Sequence, residues 1–418
     1  MCGSERRKGW SVVVLVFLFL LINFADKAVI GLSSVQIMQD LGLSHAQFGM
    51  LGSAFFLLFS ISGVVVGFLA NRFSAKTIMG VMGAVWALAL LPVSATSSIA
   101  VLAGSRIVLG AAEGPAFPVA VHAVYKWFAD PHRAVPTSVV ASGAAFGTGI
   151  VAPLITWIIV HHGWHAAFGV LSLVGALWVC LWVIFGQEGP IDPSSTIAPR
   201  SSRSIPYRRL LCSRTAVGVY LGGFAAYWVI SLNIVWLANY LIKVRHLTPS
   251  AAAWVIVLPS LMQMVLAPGC AYLSQYLIRI GYSSRVSRGV LGALCVIVSG
   301  ASMIFLPLDT MGAKQVFLVG LSFSIGSVFF TLGSTLIGEI SPISQRGAML
   351  GVTNSIHTLA GLCAPIAMGV LVDVNANPVE GFRTGFLCAG AFVVIMGTAA
   401  AVLIDPESDL TRFGRYRS

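Results

Sequence analysis

The sequence predicts an all-α polytopic membrane protein, with twelve transmembrane helices in two pseudo-symmetric six-helix bundles. Three observations predict it. Hydrophobic residues make up 57% of the 418 and charged residues only 9%, a balance foreign to a soluble domain of this length. Apolar segments of about 20 residues, the length that crosses a bilayer core, follow one another along the chain. The second half repeats marker residues of the first.

The spans fall at 11–33, 47–70, 77–97, 99–127, 137–160 and 165–186, and then at 214–242, 250–275, 289–308, 313–339, 347–372 and 383–404. The stretch 187–212 is rich in Ser, Pro and Arg and reads as a linker. The expected organisation is therefore a bundle over 1–186, a cytoplasmic linker over 187–212, a bundle over 213–404 and a cytoplasmic tail over 405–418. Arg6, Arg7 and Lys8 precede the first apolar run, as in a signal peptide. That run lacks an Ala-x-Ala-like cleavage site and is long enough to span, so it reads as an uncleaved first helix. With the N-terminus in the cytoplasm, 19 of the 25 Lys and Arg residues fall in inside segments. Lys243, Arg245, Lys314 and Arg383 fall outside, and Lys27 and Arg106 lie within spans. Both termini are expected in the cytoplasm, with the chain in the cell inner (plasma) membrane.

The net charge of +11 does not point to nucleic acid, because the basic residues are spread over short loops. The seven cysteines are scattered without a CxxC pair and read as apolar packing residues, neither disulfides nor metal ligands. No metal cluster, nucleophile elbow or phosphate loop is legible, so an enzyme is not expected.

The repeat is specific. Asp130-Pro131-His132-Arg133 after span four is matched by Ser341-Pro342 and Arg346 after span ten. Gly149 and Pro153 in span five are matched by Gly361 and Pro365 in span eleven. Two related halves imply a pseudo-two-fold axis and a central site between them.

Within the spans four ionisable residues stand out: Asp26, Lys27, Arg106 and Glu113. Arg106 and Glu113 are seven residues apart, about two turns and about 10 Å along one helix face. At bilayer depth such charges cost several kcal/mol unless they face a partner or a wet cavity, so they mark a site for ions or charged solutes. Glu113 has no cation within one turn of its own span. Lys27 adjoins Asp26 in sequence but diverges from it by about 100° on a helix, so Arg106 is the expected partner of Asp26. Desolvation and a nearby cation act in opposite senses on an intramembrane carboxylate, and proton coupling depends on that balance.

The segment Gly67-Phe-Leu-Ala-Asn71-Arg72-Phe-Ser-Ala-Lys76 resembles the cytoplasmic Gly-x-x-x-Asp-Arg-x-x-x-Lys loop of the major facilitator superfamily, with Asn71 in place of the aspartate. Three further places are similar to its anion:cation symporter family, which includes bacterial hexonate (galactonate-type) proton symporters and vesicular glutamate transporters. They are Phe24-Ala-Asp26-Lys27, Arg106-x-x-x-Gly110-x-x-Glu113-x-Pro-Ala-Phe-Pro118, and Trp236-Leu-Ala-Asn239-Tyr240-Leu241. The resemblance implies the major facilitator fold. It implies Asp26 and Glu113 as protonation sites, Lys27 as the group that meets a substrate carboxylate, and Arg106 as the link between substrate and aspartate. Asn354 matches an asparagine that hexonate symporters use for substrate. His357 stands one turn on, where those relatives have a small residue; substrate contact, proton carriage and packing all remain open for it. Tyr220 and Tyr227, with Trp228, Asn233 and Trp236, are further candidates to line the cavity. Asn71, Arg72 and Arg133 are gating candidates, His122 stands near the inner end of span four, and Glu339 is expected to pair with loop arginines. The glutamines that hexonate symporters carry correspond here to Ala144 and Gly223, which implies fewer hydroxyl-directed contacts and puts a less hydroxylated organic acid on a par with a sugar acid.

The function expected is proton-coupled uptake of an organic anion by alternating access, the solute being a sugar acid or an aromatic or short-chain organic acid. Protons are the coupling ion, with no cofactor and no metal. The expected partners are the small anion and the lipid bilayer, and the expected functional unit is a monomer. A facilitator, a drug/proton antiporter and a transporter-like sensor are the alternatives. Span five runs Gly143 to Pro153 without the motif that such antiporters carry, and Lys27 with Arg106 favours anions.

Overall fold

The computed structural model describes residues 3–69, 73–128, 133–190, 205–308 and 312–414, and no strand occurs among them. The chain divides into two units. One comprises Met1–Ala198 with Ile234–Ile242 and His246–Val257; the other comprises Pro199–Asn233, Lys243–Arg245 and Leu258–Ser418.

The first unit is built on α1 (Gly3–Leu32), α2 (Ser34–Leu41), α3 (His45–Leu69), α4 (Ala75–Leu90), α5 (Ile99–Glu113), α6 (Ala116–Tyr125), α7 (Ala134–Ala145) and α8 (Ala152–Phe185). Small residues set its packing, as expected where lipid gives no hydrophobic drive to helix association. A Cβ on Gly110 would fall on the carbonyl oxygen of Phe55, so α5 lies directly against the backbone of α3. Ser62 reinforces the contact, donating to Phe59 O at 3.0 Å and Gly110 O at 3.4 Å. Span four is not one continuous helix. It breaks at Gly114-Pro115 between α5 and α6, which leaves Glu113 as the last residue of α5.

Eleven runs among the described residues are long and apolar enough to cross a membrane. The longest, Val135–Phe185, has 51 residues. As a straight helix it would reach about 77 Å, against a hydrocarbon core of about 30 Å. Gly163 breaks it with φ 80° and ψ 166°, a conformation open to glycine. The run thus provides two crossings, and the described residues make up the expected twelve. Before Pro153 the chain makes a π-helical turn over Phe146–Ile150, with Val151 N donating to Phe146 O at 3.0 Å. Proline has no N–H for the regular ladder, and the wider turn absorbs the loss. Aromatic N–H groups close the bundle: Trp178 Nε1 donates to Leu15 O at 2.8 Å and Trp182 Nε1 to Lys76 O at 2.9 Å.

The second unit contains α9 (Tyr207–Leu211), α10 (Arg214–Lys243), α11 (Pro249–Arg279), α12 (Leu291–Phe305), α13 (Ala313–Ser324), α14 (Val328–Ile340), α15 (Ile343–Thr358), α16 (Ala360–Asp373), α17 (Pro378–Leu403) and α18 (Pro406–Gly414). Residues 234–242 of α10 and the parts of α11 assigned above count with the first unit. There Val235 fills the space beside Gly52, and Trp236 packs on Phe48 with centroids 5.4 Å apart. Within the second unit, Gln345 exchanges two hydrogen bonds with the Ile205 backbone, at 2.9 and 2.7 Å. Asp409, buried on α18, accepts from Thr215 N at 2.8 Å and so satisfies a free N–H of the first turn of α10. The span carrying Pro365 is divided at Leu359 into α15 and α16, an irregularity parallel to the one before Pro153.

Candidate functional site

The first unit brings Asp26, Lys27, Arg106 and Glu113 into one buried group, none more than 5% exposed. α1 supplies the first two and α5 the others, and the close approach of α5 to α3 sets the depth at which Arg106 and Glu113 lie. Lys27 Nζ stands 3.3 Å from Glu113 Oε2. It also donates to Asn23 Oδ1 at 2.6 Å, one turn back on α1. Three rings surround the ammonium, with centroids 4.1 Å (Phe24), 5.3 Å (Phe59) and 5.9 Å (Phe55) away. Each such face attracts a cation by about 0.5–2 kcal/mol, more where water is excluded. The cage thus offsets part of the cost of a buried ammonium.

The expected pairing is corrected on one point. Arg106 approaches α1, but Nη1 donates to the backbone carbonyl of Asp26, at 3.3 Å, rather than to its carboxylate. Both carboxylate oxygens of Asp26 are buried without a hydrogen-bond partner. Glu113, which has no cation within one turn of its own helix, takes Lys27 from α1. The Arg106 guanidinium lies 5.3 Å from the Phe168 ring, and its Nε and Nη2 have no hydrogen-bond partner. Those two atoms form the side-on edge of the guanidinium, the edge that matches a carboxylate with two parallel N–H···O bonds. With all four groups ionised, two cations and two carboxylates give a cluster of zero net charge.

In the second unit His357 is buried, with Nε2 3.1 Å from the carbonyl oxygen of Val219 and its ring 5.7 Å from Phe330. Tyr227 meets Phe330 edge-on at 6.2 Å. The Tyr220 hydroxyl is buried without a hydrogen-bond partner. Asn354, three residues before His357, is exposed, so the two do not share one environment. Trp228 and Asn233 are part-buried, and Trp236 is a fully buried packing residue of the first unit. Glu339 pairs with Arg288 at 2.5 Å and accepts from Ser284 at 2.6 Å. Beside that pair a cavity of about 520 Å³ is lined by Arg346, Ser334 and Thr335 among others.

Of the gating candidates, Asn71 and Arg72 lie outside the described residues. Arg133 donates from Nε to Phe128 O at 2.8 Å and from Nη2 to Tyr125 O at 3.4 Å, and its guanidinium lies 4.5 Å from the Tyr125 ring. It thereby caps the carbonyl end of α6. His122 is part-buried on the same helix. A contact that the sequence reading missed holds the start of α4. The Glu188 carboxylate accepts from Ala75 N at 3.2 Å and Lys76 N at 3.0 Å and pairs with Lys126. Burial pushes its pKa up, but Lys126 and the two backbone donors outweigh that and hold it below the ordinary 4.5. Among the described residues no group of three or more His, Cys, Asp and Glu could hold a metal ion.

The sequence reading also missed Asn23 and the ring cage. Asn23 stands four residues before Lys27, a spacing that places both on one helix face, so a signal existed. Phe55 and Phe59 share a face of α3, but nothing in the sequence tied that face to Lys27.

A family model described as the Major Facilitator Superfamily matches residues 15–327 and 219–417. The probable galactarate/D-glucarate transporter GudP of Bacillus subtilis is 25% identical over 431 residues, covering 97% of this chain and 93% of that protein. The hexuronate transporter of Bacillus subtilis is 26% identical over 406 residues, covering 94% of each. A crystal structure of a bacterial homolog of the human lysosomal transporter Spinster matches with a TM-score of 0.77 at 16% identity, over 97% of this chain and 98% of that one, which is a likeness of fold. With its helical spans, its family match and relatives that carry anions, the chain belongs to the Major Facilitator Superfamily and is a membrane transporter, not an enzyme.

Proposed function

We propose that the protein takes up an organic anion together with protons, and that Glu113 and the anion compete for Lys27. The observation that carries this reading is the sealed Lys27–Glu113 pair, 3.3 Å apart in a buried cluster whose two basic and two acidic groups balance when all are ionised. A bare anion entering that cluster would leave an uncompensated negative charge at bilayer depth. A proton on Glu113 releases Lys27, and a solute carboxylate then takes its place at no net change in charge. Arg106 receives the carboxylate on the side-on edge of Nε and Nη2, while Nη1 stays on the carbonyl of Asp26. Asp26 is the second protonation site. Release of anion and proton on the inner side restores the Lys27–Glu113 pair and resets the carrier.

Two relatives named for sugar-acid transport support a carboxylate as the solute. Asn354, Tyr220, Tyr227 and His357 are assigned to the solute-facing surface, and Asn71, Arg72 and Arg133 to the inner gate. The distribution of Lys and Arg supports both termini in the cytoplasm, the bacterial transporter relatives support the plasma membrane, and the protein acts as a monomer. The two six-helix halves of 1–186 and 213–404 alternate access around the linker 187–212. The test is transport in proteoliposomes. Glu113→Gln abolishes uptake driven by a pH gradient and spares exchange of anion for anion; pH-driven uptake equal to that of the wild type refutes the role of Glu113.

A further inference from the structure

The cavity of about 520 Å³ beside the Arg288–Glu339 pair is lined by residues of the second unit and takes no part in the cycle proposed above. α14 and α15 wall it where the chain passes from one to the other. Gly338 and Glu339 stand in the last turn of α14, with Ser334 and Thr335 one turn before them. Arg346 stands in the first turn of α15, with Leu350 one turn on. Two apolar runs, Ala313–Ile340 and Gln345–Asp373, share this end. At 1.5 Å per residue the lining lies within about 10 Å of the span ends. That depth takes in the interfacial layer of a bilayer, about 5–8 Å thick on each side.

The charges in the cavity do not cancel. Arg288 Nη1 is taken by Glu339 Oε2, which also accepts from Ser284. Arg346 is exposed and has no hydrogen-bond or ion-pair partner among the described residues. Its Nε lies 3.6 Å from the place of a Cβ on Gly338, so the side chain rests against the last turn of α14 at the cavity wall. The counterpart in the repeat, Arg133, is engaged by the carbonyls of Phe128 and Tyr125. The Thr335 hydroxyl donates to Thr331 O at 2.8 Å, whereas the exposed Ser334 keeps its donor for the cavity.

With Arg288 and Glu339 balanced, one positive charge remains, carried by a guanidinium beside a hydroxyl. Such donors suit a ligand whose oxygens only accept, as those of a phosphodiester do. Leu350 lies on the same face of α15 as Arg346, one turn farther from the span end, and adds an apolar wall beneath the donors. A soluble anion gains nothing from that wall, but a lipid, whose glycerol and acyl chains continue below its phosphate, does. We propose that this cavity binds the headgroup phosphate of an anionic phospholipid, and that Arg346 holds it. The single positive charge favours a monoanionic lipid such as phosphatidylglycerol over phosphatidylcholine, whose ammonium cancels its own phosphate.

The experiment measures binding of short-chain phosphatidylglycerol and phosphatidylcholine to the purified full-length protein in detergent by native mass spectrometry. It compares the wild type with Arg346→Gln and with Arg279→Gln, which removes an exposed arginine of α11 outside the cavity lining. The wild type is expected to bind phosphatidylglycerol at least ~5-fold more tightly than phosphatidylcholine, the effect of one arginine at a membrane surface. Arg346→Gln brings the ratio close to one, and Arg279→Gln keeps it. Equal affinities in the wild type overturn the proposal, and that comparison needs no variant to fold. A ratio that survives in Arg346→Gln, or falls as far in Arg279→Gln, overturns the assignment to this cavity. Thermal shift with inorganic phosphate and with lactate, in the absence of lipid, separates the sources. No shift that depends on Arg346 is expected; such a shift with either ion makes this a site for a soluble anion and overturns the lipid assignment.

Discussion

Lys27 Nζ lies 3.3 Å from Glu113 Oε2, and both side chains are buried. Each charge is buried against the other, and losing one leaves the other stranded. Breaking such a pair from one side costs about 3–5 kcal/mol, whereas neutralising both sides costs far less. Lys27→Met and Glu113→Gln are each expected to lower thermal stability markedly, and the double variant to recover most of the loss. A double variant whose melting temperature falls by the sum of the two single shifts contradicts the pairing.

Arg106 has a different task. One nitrogen holds the α1 backbone and the other two form the open edge of the guanidinium. Arg106→Lys retains a positive charge but removes the two-pronged geometry. It is expected to raise the KM for anion uptake by about tenfold or more, the value of one charge-assisted hydrogen bond, about 1.5–3 kcal/mol. Uptake kinetics check this, and an unchanged KM counts against a carboxylate docking on that edge.

Gly110 tests how the cluster is placed. A methyl group there would collide with the carbonyl of Phe55, which is backbone and cannot swing aside. Gly110→Ala is expected to cost more than the usual 1–3 kcal/mol of an overpacked core, and to reduce the yield of folded protein and abolish uptake. Gly104, whose added Cβ would meet nothing within 4 Å, is the control. Gly104→Ala is expected to leave yield and uptake near wild type, and size-exclusion profiles of the two variants separate the outcomes.

Glu188 gives a pH dependence outside the membrane. Its folded pKa is held below the ordinary 4.5. A carboxylate depressed in the folded state contributes stability above its unfolded pKa and loses that contribution as pH falls through the folded value. Glu188→Gln is therefore expected to melt below the wild type at pH 7, with the gap closing only under about pH 4.5. A gap that is the same at pH 7 and pH 3.5 contradicts the role given to the carboxylate at the start of α4.

The number of crossings was legible because a bilayer imposes one length on every span, and Gly163 falls between the two spans predicted around it. The four intramembrane charges were legible because apolar composition makes each of them an anomaly. Their pairing was not. Helical spacing relates residues on one helix, so it could have paired Asn23 with Lys27, but it says nothing about which turn of α1 faces α5. That turn is fixed where Arg106 meets the carbonyl of Asp26 and Lys27 meets Glu113 at the end of α5. The same limit hid the packing of the His357 ring against Gly223, two residues 134 positions apart in the sequence.

In the proposed cycle an anion and a proton together replace the Lys27–Glu113 pair, so anion binding is accompanied by proton uptake, which a pH indicator follows in weakly buffered detergent solution. The probe is whichever of lactate, benzoate and gluconate gives the largest thermal shift. Adding it to the wild type is predicted to raise the pH of the solution as protons bind, and adding it to Glu113→Gln to produce a clearly smaller rise. An anion that binds the wild type with no accompanying proton rules out this coupling.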